Sequence, residues 1–295
     1  MSQISDKNRL YTINEKKEAE RSHQKKIALI NDFTGFGRCS LTVSIPIISA
    51  MKIQCCPVPT SILSNHTAYD SWFFEDFTDR MQPYIDEWKK LRLSFEGIST
   101  GFLGSEEQIQ IVLRFLDDFK QEDTVVVVDP VMGDDGRPYS TYTSQMCSEM
   151  KRLAVRADIL TPNLTEACIL TGRDWHEGKW AIRQVVALAK ELSEMGPDKI
   201  VVTGIPQGEF IANLCYERGM EPRFVRTHRV GTQRCGTGDV FASIIAADAV
   251  NGVMFRDSVR RASHFVRRCI QKSVEMDLPL TDGVCFEELL GLLCK

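Results

Sequence analysis

Short, uniformly apolar segments alternate along the chain with longer segments whose apolar residues recur at helical spacing. Residues 27–32 (IALIND), 95–103 (FEGISTGFL) and 124–130 (TVVVVDP) are of the first kind, and residues 105–121 and 178–196 are of the second. A run of valines without polar alternation is typical of a strand that is buried on both faces. The pattern therefore predicts a single α/β domain, with a mainly parallel central sheet flanked by helices on both faces.

The remaining segments extend this alternation. Ser105 precedes two glutamates and is expected to cap the helix that follows it. The prolines in residues 53–62 exclude a regular helix, so this segment is expected to be extended. The other predicted strands are 158–162, 198–204 and a hairpin of 209–217 with 222–230, and the other predicted helices are 41–51, 143–155, one from Leu164, 238–251, 256–273 and 285–294.

The first 26 residues are polar and mixed in charge, without an apolar stretch. We expect residues 1–26 to be an N-terminal extension and residues 27–295 to form the ordered domain. No signal peptide is recognised, and no apolar run reaches the length of a membrane span. Ten scattered cysteines without a Cys-x-x-Cys pair favour reduced thiols. We therefore expect a cytoplasmic protein that has no membrane partner.

Polar side chains follow the apolar part of several predicted strands. Asp32, Asp129 and Thr203 each end one strand, and Thr161 and Asn163 end another. Ligands of open parallel sheets bind at the carboxyl ends of the strands. The shared position of these side chains favours a ligand site along one edge of the sheet.

Residues 236–239 (GTGD) precede an apolar segment that is predicted to be helical. The two glycines and Thr237 place backbone N–H groups at the N-terminus of that helix, where free amides and the helix dipole favour an anion. Asp239 has two interpretations that the sequence leaves open. It can simply complement the dipole, or it can accept the proton of an attacking hydroxyl while the amides hold a transferred phosphate.

Two further acidic segments leave a similar choice open. In residues 129–135 (DPVMGDD), the hard oxygen ligands suit Mg²⁺ held partly through water, or the segment contacts a nucleotide's phosphates, although Asp and Gly are also common in tight surface turns. In residues 161–172 (TPNLTEACILTG), Asn163 can cap a helix, and Glu166 completes the pattern of a capping box. Glu166 is therefore either structural or a metal partner that acts through water near Asp129.

Composition and motifs argue against several other classes of function. A formal net charge of −4 and a pI of about 5.8 argue against nucleic acid as a partner. Residues 35–40 lack the third glycine of a dinucleotide fingerprint, and neither a P-loop nor the G-x-S-x-G of esterases occurs. The histidines show no metal-ligand spacing, and Cys235 is expected to be a packing residue.

Several motifs, in their order and spacing, resemble the ribokinase-like superfamily, and in particular its pyridoxal/pyridoxamine (vitamin B6) kinase branch. The motifs are DPVMGD, TPNLTEACILTG, VVTG and GTGD, together with SNHTAYD at residues 64–70. The resemblance covers residues 27 to about 290. It implies a ribokinase-like fold and ATP-dependent phosphorylation of the 5′-hydroxymethyl group of pyridoxal, pyridoxamine or pyridoxine.

The resemblance also implies roles for individual residues. Asp239 would be the general base, beside an anion hole formed by Gly236, Thr237 and Gly238. The ATP side would be lined by Asp134, Tyr139, Asn163, Thr203 and Thr237. Asp129, Thr161 and Thr203 match positions that hold a monovalent cation, and Glu166 matches an acid near Mg²⁺. The acceptor substrate would be held by Asp32, Asn65, His66, Thr67 and Tyr69.

The chain departs from the family at Asp32, where the animal B6 kinases carry a serine that contacts the ring. A carboxylate there could pair with a protonated ring nitrogen or with an amino group, so hydroxymethylpyrimidine kinase of thiamine synthesis is an alternative. Pyrimidine kinases of the family typically carry cysteine at this catalytic position. The aspartate found here, Asp239, therefore favours a B6 vitamer as the substrate. A third hypothesis is a non-catalytic vitamer-binding protein, although binding alone would not require Asp129, Glu166 and Asp239 together. By the resemblance we expect a homodimer that uses ATP, Mg²⁺ and K⁺.

Overall fold

A computed structural model describes residues 24–294, so residues 1–23 of the expected extension lie outside the described part, as does Lys295. Strand β1 starts at Lys26, one residue before the expected start of the domain. Lys25 is already attached to the domain, because its Nζ donates to the carbonyl oxygen of Val250 at 2.8 Å.

The strands of the described residues form one large sheet and one small hairpin. Nine strands lie in the order β11-β10-β9-β8-β5-β4-β1-β2-β3, and β6 pairs with β7. From β2 to β9 the neighbouring strands are parallel, whereas β10, β11 and β3 are antiparallel at the two edges. The mainly parallel sheet is confirmed. The strands are β1 (Lys26–Phe36), β2 (Gln54–Asn65), β3 (Phe74–Asp76), β4 (Gly97–Thr100), β5 (Val125–Val128), β6 (Gly133–Asp134), β7 (Arg137–Pro138), β8 (Ile159–Leu160), β9 (Lys199–Gln207), β10 (Phe210–Glu217) and β11 (Arg223–His228).

Helices cover both faces of the sheet, as predicted. Helices α2 to α6 pack in one core, and α1, α7 and α8 pack in the other. In β5, Val126 and Val128 belong to the first core and Val127 to the second, which explains why this strand is apolar throughout. The helices are α1 (Leu41–Ala50), α2 (Thr78–Lys90), α3 (Glu106–Phe119), α4 (Ser144–Ala154), α5 (Leu164–Thr171), α6 (Ile182–Met195), α7 (Thr237–Val250) and α8 (Phe255–Glu275).

One predicted helix cap is present here, and two predicted helices are shorter than expected. Ser105 caps α3, because its Oγ accepts from the backbone N–H of Gln108 at 3.2 Å. The helix predicted over 178–196 begins only at Ile182. The helix predicted over 285–294 is a shorter 3₁₀ helix at Glu287–Leu292, since its internal glycine disfavours an α-helix.

Two of the expected strand ends are also wrong. Strand β1 continues past Asp32, because after a register shift it pairs with β2 as far as Phe36. Strand β9 continues past Thr203, because its second half pairs with β10. None of the described helices combines the length and the apolar character that crossing a bilayer requires.

Candidate active site

Helix α7 begins at the GTGD segment, after Gly236 in the left-handed region with a φ of 81°. A Cβ atom at Gly236 would collide with the carbonyl oxygen of Arg38, so both the backbone angle and the space demand glycine. At Gly238 the space is open, since a Cβ atom would meet only Asp129, with Oδ2 3.9 Å away. The first turn of α7 therefore presents backbone N–H groups to an open space beside a carboxylate.

Asp239 lies in this first turn and is held from the side of strand β1. Its Oδ1 accepts from Nδ2 of Asn31 at 3.2 Å, and the backbone N–H of Ser40 also donates to the carboxylate. Burial raises the pKa of Asp239 to about 6, and the Asp32 carboxylate adds to the rise, whereas the hydrogen bonds oppose it. A carboxylate of this pKa is ionised at neutral pH and is a stronger base than an ordinary aspartate.

Asp32 lies on β1 with only 6% of its surface exposed. Its Oδ2 accepts from Oγ1 of Thr34 at 2.6 Å, and the Ser40 side chain donates to the same carboxylate. Burial raises the pKa of Asp32, and these hydrogen bonds oppose the rise. The structure thus brings Asp32 within electrostatic reach of Asp239.

Asp129 follows β5 and lies beside Gly238 of the first turn of α7. Its Oδ1 accepts from Oγ1 of Thr161 at 3.2 Å, while Oδ2 is the atom beside Gly238. Burial raises the pKa of Asp129 to about 7, and the Asp239 carboxylate adds to the rise. One oxygen of Asp129 is therefore anchored, and the other borders the open space.

Glu166 forms the capping box that the sequence predicts. Its Oε2 accepts from the backbone N–H of Asn163 at 2.8 Å, and Oδ1 of Asn163 accepts from the backbone N–H of Glu166 at 2.9 Å. Oε1 of Glu166 accepts from the backbone N–H of Met132 at 3.2 Å. Burial raises the pKa of Glu166 well above its usual range, and Asp129 adds to the rise. Both carboxylate oxygens are engaged, so Glu166 has a structural role whatever else it does.

Four acidic side chains lie near one another at this edge of the sheet: Asp32, Asp129, Glu166 and Asp239. A neighbouring acid adds to the raised pKa of three of these carboxyl groups: Asp239 acts on Asp129, Asp129 on Glu166, and Asp32 on Asp239. Residues 24–294 contain no cluster of three or more His, Cys, Asp or Glu that would hold a metal ion by itself. Mg²⁺ commonly binds through one or two carboxylates and completes its shell with water and phosphate oxygens. The donor set therefore fits a cation that arrives with a nucleotide.

The residues expected on the ATP side surround the β6–β7 hairpin. Oδ2 of Asp134 accepts from Nε2 of Gln233 at 2.5 Å, which joins the hairpin to the segment before α7. Nδ2 of Asn163 donates to the backbone of β6 at 2.8 Å. Thr203 forms a single parallel bridge with Asn163. Tyr139 follows β7 with 43% of its surface exposed. Asn163 thus holds the hairpin, and Tyr139 is accessible.

The residues expected to hold the acceptor lie at the end of β2 and in the following loop. Nε2 of His66 lies 2.6 Å from the carbonyl oxygen of Thr281, and the Tyr69 hydroxyl donates to the same oxygen at 2.9 Å. Nδ2 of Asn65 donates to a backbone carbonyl within its own loop at 2.8 Å. Thr67 is exposed. The structure therefore places His66 and Tyr69 against the C-terminal segment.

Three partners of the site have little or no signal in the sequence. Asn31 is a polar residue at the end of an apolar run, but nothing in the run points to its contact with Asp239. Gln233 shows no motif. The buried Arg234 donates to the carbonyl oxygens of Leu278 and Pro279 at 2.8 Å and 2.7 Å. These contacts join distant parts of the chain, so only the folded structure reveals them.

Two named enzymes of other organisms are similar to most of this chain. Pyridoxine/pyridoxal/pyridoxamine kinase of Bordetella avium is 28% identical over 270 residues, which cover 84% of this chain and 86% of that protein. Thiamine biosynthetic bifunctional enzyme TH1 of Arabidopsis thaliana is 28% identical over 283 residues, which cover 93% of this chain. The chain spans about half of that bifunctional enzyme, since the match covers 52% of it.

A solved structure shares the fold at higher identity. It is described as a phosphomethylpyrimidine kinase from Bacteroides thetaiotaomicron, with a TM-score of 0.90, 38% identity, and coverage of 93% of this chain and 95% of that chain. An orthorhombic crystal form of it with pyridoxal has a TM-score of 0.88 and 37% identity, and covers 92% of this chain and 96% of that chain.

Residues 48–280, which are well over half of the chain, match the model of the phosphomethylpyrimidine kinase family. The pyridoxal kinases among the relatives also confirm the resemblance to that branch of the ribokinase-like superfamily. On fold, motifs and overall similarity, this chain belongs to the phosphomethylpyrimidine kinase family.

Proposed function

We propose that this kinase transfers the γ-phosphoryl group of ATP to the 5′-hydroxymethyl group of a B6 vitamer (pyridoxal, pyridoxamine or pyridoxine), with Asp239 as the general base. The observation that carries the proposal is the position of Asp239. Its carboxylate, with a pKa raised to about 6, lies in the first turn of α7 beside the GTG segment. A base and an anion site in one helical turn are what phosphoryl transfer to an alcohol requires.

The proposed reaction is a displacement at phosphorus. Asp239 accepts the proton of the substrate hydroxyl while the hydroxyl oxygen forms a bond to the γ-phosphorus. The bond between that phosphorus and the bridging oxygen of ADP breaks, so the products are the 5′-phosphate and ADP. The backbone N–H groups of Gly236, Thr237 and Gly238 would hold the negative charge of the transferred group. Gly236 allows the chain to enter the helix at the required angle.

The acids of the site are suited to Mg²⁺ that arrives with ATP. Asp129 would hold it through Oδ2, the oxygen left free beside Gly238, and Glu166 would act through water. When bound, the metal neutralises phosphate charge. A cation would also relieve the repulsion that raises the pKa of Asp129. Thr161 and Thr203, with Asp129, are the proposed partners of K⁺.

The remaining residues have proposed roles in binding the two substrates. The nucleotide would be lined by Asp134, Tyr139, Asn163 and Thr203 around the β6–β7 hairpin, and by Thr237 at the start of α7. The acceptor ring would lie between β1 and the loop after β2, lined by Asp32, Asn65, His66, Thr67 and Tyr69. Asp32 is a buried carboxylate without an ion-pair partner among the described residues, which supports pairing with a cationic ring nitrogen or amino group.

The choice of a B6 vitamer rests on Asp239 and on the relatives. The Bacteroides protein, at 37% identity, was crystallised with pyridoxal, and the Bordetella relative carries the name of a B6 kinase. Hydroxymethylpyrimidine is the alternative acceptor, supported by the family match and by the thiamine-synthesis enzyme of Arabidopsis. Both acceptors offer a hydroxymethyl group on a protonatable ring, so the same base would serve either one.

The deciding experiment offers four acceptors in parallel. Purified protein with ATP, Mg²⁺ and K⁺ receives pyridoxal, pyridoxamine, pyridoxine or hydroxymethylpyrimidine, and ADP formation is measured. We expect the highest kcat/KM with a B6 vitamer. A preference for the pyrimidine would assign the chain to thiamine synthesis. If folded protein binds a vitamer but forms ADP with none of the four acceptors, the remaining hypothesis is a non-catalytic vitamer-binding protein.

A further inference from the structure

Asn31 is a buried polar residue of the site to which no role has been given above. It lies on β1 where the register against β2 shifts, and only 3% of its surface is exposed. A Cβ atom at Gly101 would lie 2.5 Å from the Asn31 amide, so the segment that follows β4 packs directly against this side chain. The amide group is therefore enclosed and has a fixed place.

The neighbours of Asn31 also fix which way its amide points. One side of the amide faces two backbone donors, the N–H of Asp32 at 3.0 Å and the N–H of Phe102 at 2.8 Å. Only the oxygen can accept from them, so Oδ1 must occupy that side. Nδ2 is then directed to the other side, where it lies 3.2 Å from Oδ1 of Asp239. Asn31 can act on Asp239 only as a donor.

We propose that Asn31 is a positioning residue for the general base: it holds the Asp239 carboxylate in the rotamer that receives the proton of the acceptor alcohol. This inference rests on the proposed role of Asp239. A side-chain donor on Oδ1, together with the backbone N–H of Ser40 that also donates to the carboxylate, restricts rotation of the carboxylate. Reacting groups that shift by about 1 Å lose on the order of a hundredfold in rate, so a fixed carboxylate matters even though Asn31 itself does not touch the substrate.

A purely structural role is the competing explanation, because Oδ1 of Asn31 also joins β1 to the segment after β4 through Phe102. The two roles use opposite ends of the amide, and one substitution separates them. Asn31→Asp has the same shape and keeps an oxygen for both backbone N–H groups. It replaces the donor that faces Asp239 with an oxygen, which repels the base when both groups are ionised.

The matched control is Asn213, a second buried asparagine whose amide also accepts from a backbone N–H and donates to a side-chain oxygen. Its Oδ1 accepts from the backbone N–H of Gly204 at 2.9 Å, and its Nδ2 donates to Oγ of Ser263 at 2.8 Å. Asn213→Asp therefore makes the same chemical change in the same sheet, away from Asp239. It reports the cost of a buried carboxyl group without any effect on the base.

The experiment measures kcat and KM for ATP and for the best of the four acceptors, at pH 8, with the thermal unfolding midpoint of each variant. For Asn31→Asp we expect kcat to fall about 10- to 100-fold, with both KM values within about threefold of the parent. For Asn213→Asp we expect kcat within about threefold of the parent, because the described hydrogen bonds of Asn213 go to Gly204 and Ser263, neither of which is proposed to act in catalysis. If Asn31→Asp does not fold, Asn31→Ala provides the second test, because it also removes the donor to Asp239. We expect its kcat to fall by a similar factor.

Asp239→Ala, assayed in parallel, separates failure of this inference from failure of the proposed function. If Asp239→Ala is inactive while Asn31→Asp or Asn31→Ala folds and keeps its kcat, the positioning role is refuted and Asn31 only joins the strands. If kcat falls equally in Asn31→Asp and Asn213→Asp, the loss is structural and the inference is again refuted. If Asp239→Ala retains normal turnover, the base assignment itself is wrong.

Discussion

Asp239 is the residue on which the proposed chemistry depends most directly. Asp239→Ala is expected to lower kcat by about two to four orders of magnitude, the usual contribution of a general base. The affinity for ATP should change little, because the N–H groups of the α7 turn remain. Steady-state kinetics and calorimetric titration with ATP measure the two effects separately. Turnover close to that of the parent would exclude Asp239 as the base.

Asp129→Asn is expected to stabilise the free protein while lowering its activity. Burial and the Asp239 carboxylate raise the pKa of Asp129 from 3.8 to about 7, so the folded state holds its proton more tightly than the unfolded chain. Ionisation therefore destabilises the fold progressively between about pH 4 and pH 7. At pH 8 the amide should raise the free energy of unfolding by about 1–3 kcal/mol. It still accepts the hydrogen bond from Thr161.

The measurement is the thermal unfolding midpoint of the free protein at pH 8 and at pH 5. At pH 8 the midpoint should rise by roughly 2–6 °C, and at pH 5 the gain should be smaller, because Asp129 is by then largely neutral in the folded protein. Asp123→Asn, on an exposed turn, is the control and should change stability by less than about 0.5 kcal/mol. A lower midpoint for Asp129→Asn at pH 8 would contradict the repulsion between the two acids.

At the level of residues, the sequence predicts what local spacing determines. The capping box of Asn163 and Glu166 follows from their separation by three residues and is confirmed. The place of Asp239 in the first turn of a helix also follows from the glycines before it. The partner of Asp239 could not be predicted, because the Asn31 amide reaches it across 208 positions of sequence.

At the level of elements, the two glycines of the α7 turn should respond oppositely to alanine. Gly236→Ala meets both a φ of 81° and the carbonyl oxygen of Arg38, so it should destabilise the protein by about 1–3 kcal/mol. Gly238→Ala has room and a helical position, so stability should be kept or raised by up to about 1 kcal/mol. Its methyl group would occupy the space in front of the N–H groups, and kcat should fall at least about tenfold.

Unfolding midpoints and kcat values of the two alanine variants provide the check. A stable and fully active Gly238→Ala variant would show that the transferred phosphate does not use this turn. An unchanged midpoint for Gly236→Ala would contradict the required left-handed angle.

The elements that could be predicted are those whose pattern is set by burial. The valines of β5 and the amphipathic α3 and α6 are in this group. Helix α2 carries an internal proline and few buried residues, and β3 has three exposed residues, so neither gave a clear periodic signal. The segment predicted as a helix over 285–294 is a shorter 3₁₀ helix at Glu287–Leu292, because its apolar residues are spaced for packing on the second core while its internal glycine disfavours an α-helix.

At the level of the whole molecule, the exposed aromatic surface at one end of the sheet supports the expected homodimer. This aromatic surface consists of Phe33, Phe36, Trp72, Phe73 and Phe74, each between 41% and 59% exposed. Exposed apolar groups of this extent often mark a contact with another chain. We expect the protein to have the mass of a dimer in light scattering, and Phe73→Ser to shift it toward the monomer without lowering the unfolding midpoint of the monomer.

Met220, 65% exposed in the turn between β10 and β11 at the opposite edge of the sheet, supplies the control. Met220→Ser should leave the dimer intact. A parent protein that stays monomeric at micromolar concentrations would remove the proposed role of the aromatic surface.

The overall architecture was predictable because alternating buried strands and helices allow few arrangements. The order of the strands was not. Placing β1, β4, β5 and β8 side by side brings Asn31, Asp129 and Thr161 to one edge, and this neighbourhood depends on pairings far apart in sequence. The return of the C-terminal segment to His66 and Arg234 likewise has no local signal.

The contact between Gly236 and the Arg38 carbonyl has a practical consequence for anyone who wishes to redesign the acceptor range. The Arg38 carbonyl, in the loop after β1, lies so close to Gly236 that a displaced loop would also displace the turn proposed to hold the phosphate. Mutant libraries at residues 37–40 should therefore yield many inactive clones even when the new alcohol fits. Thr67 and Ala68 are exposed and lie outside this contact. Randomising these two positions should alter substrate choice with a smaller loss of turnover, which makes them the better starting point for directed evolution.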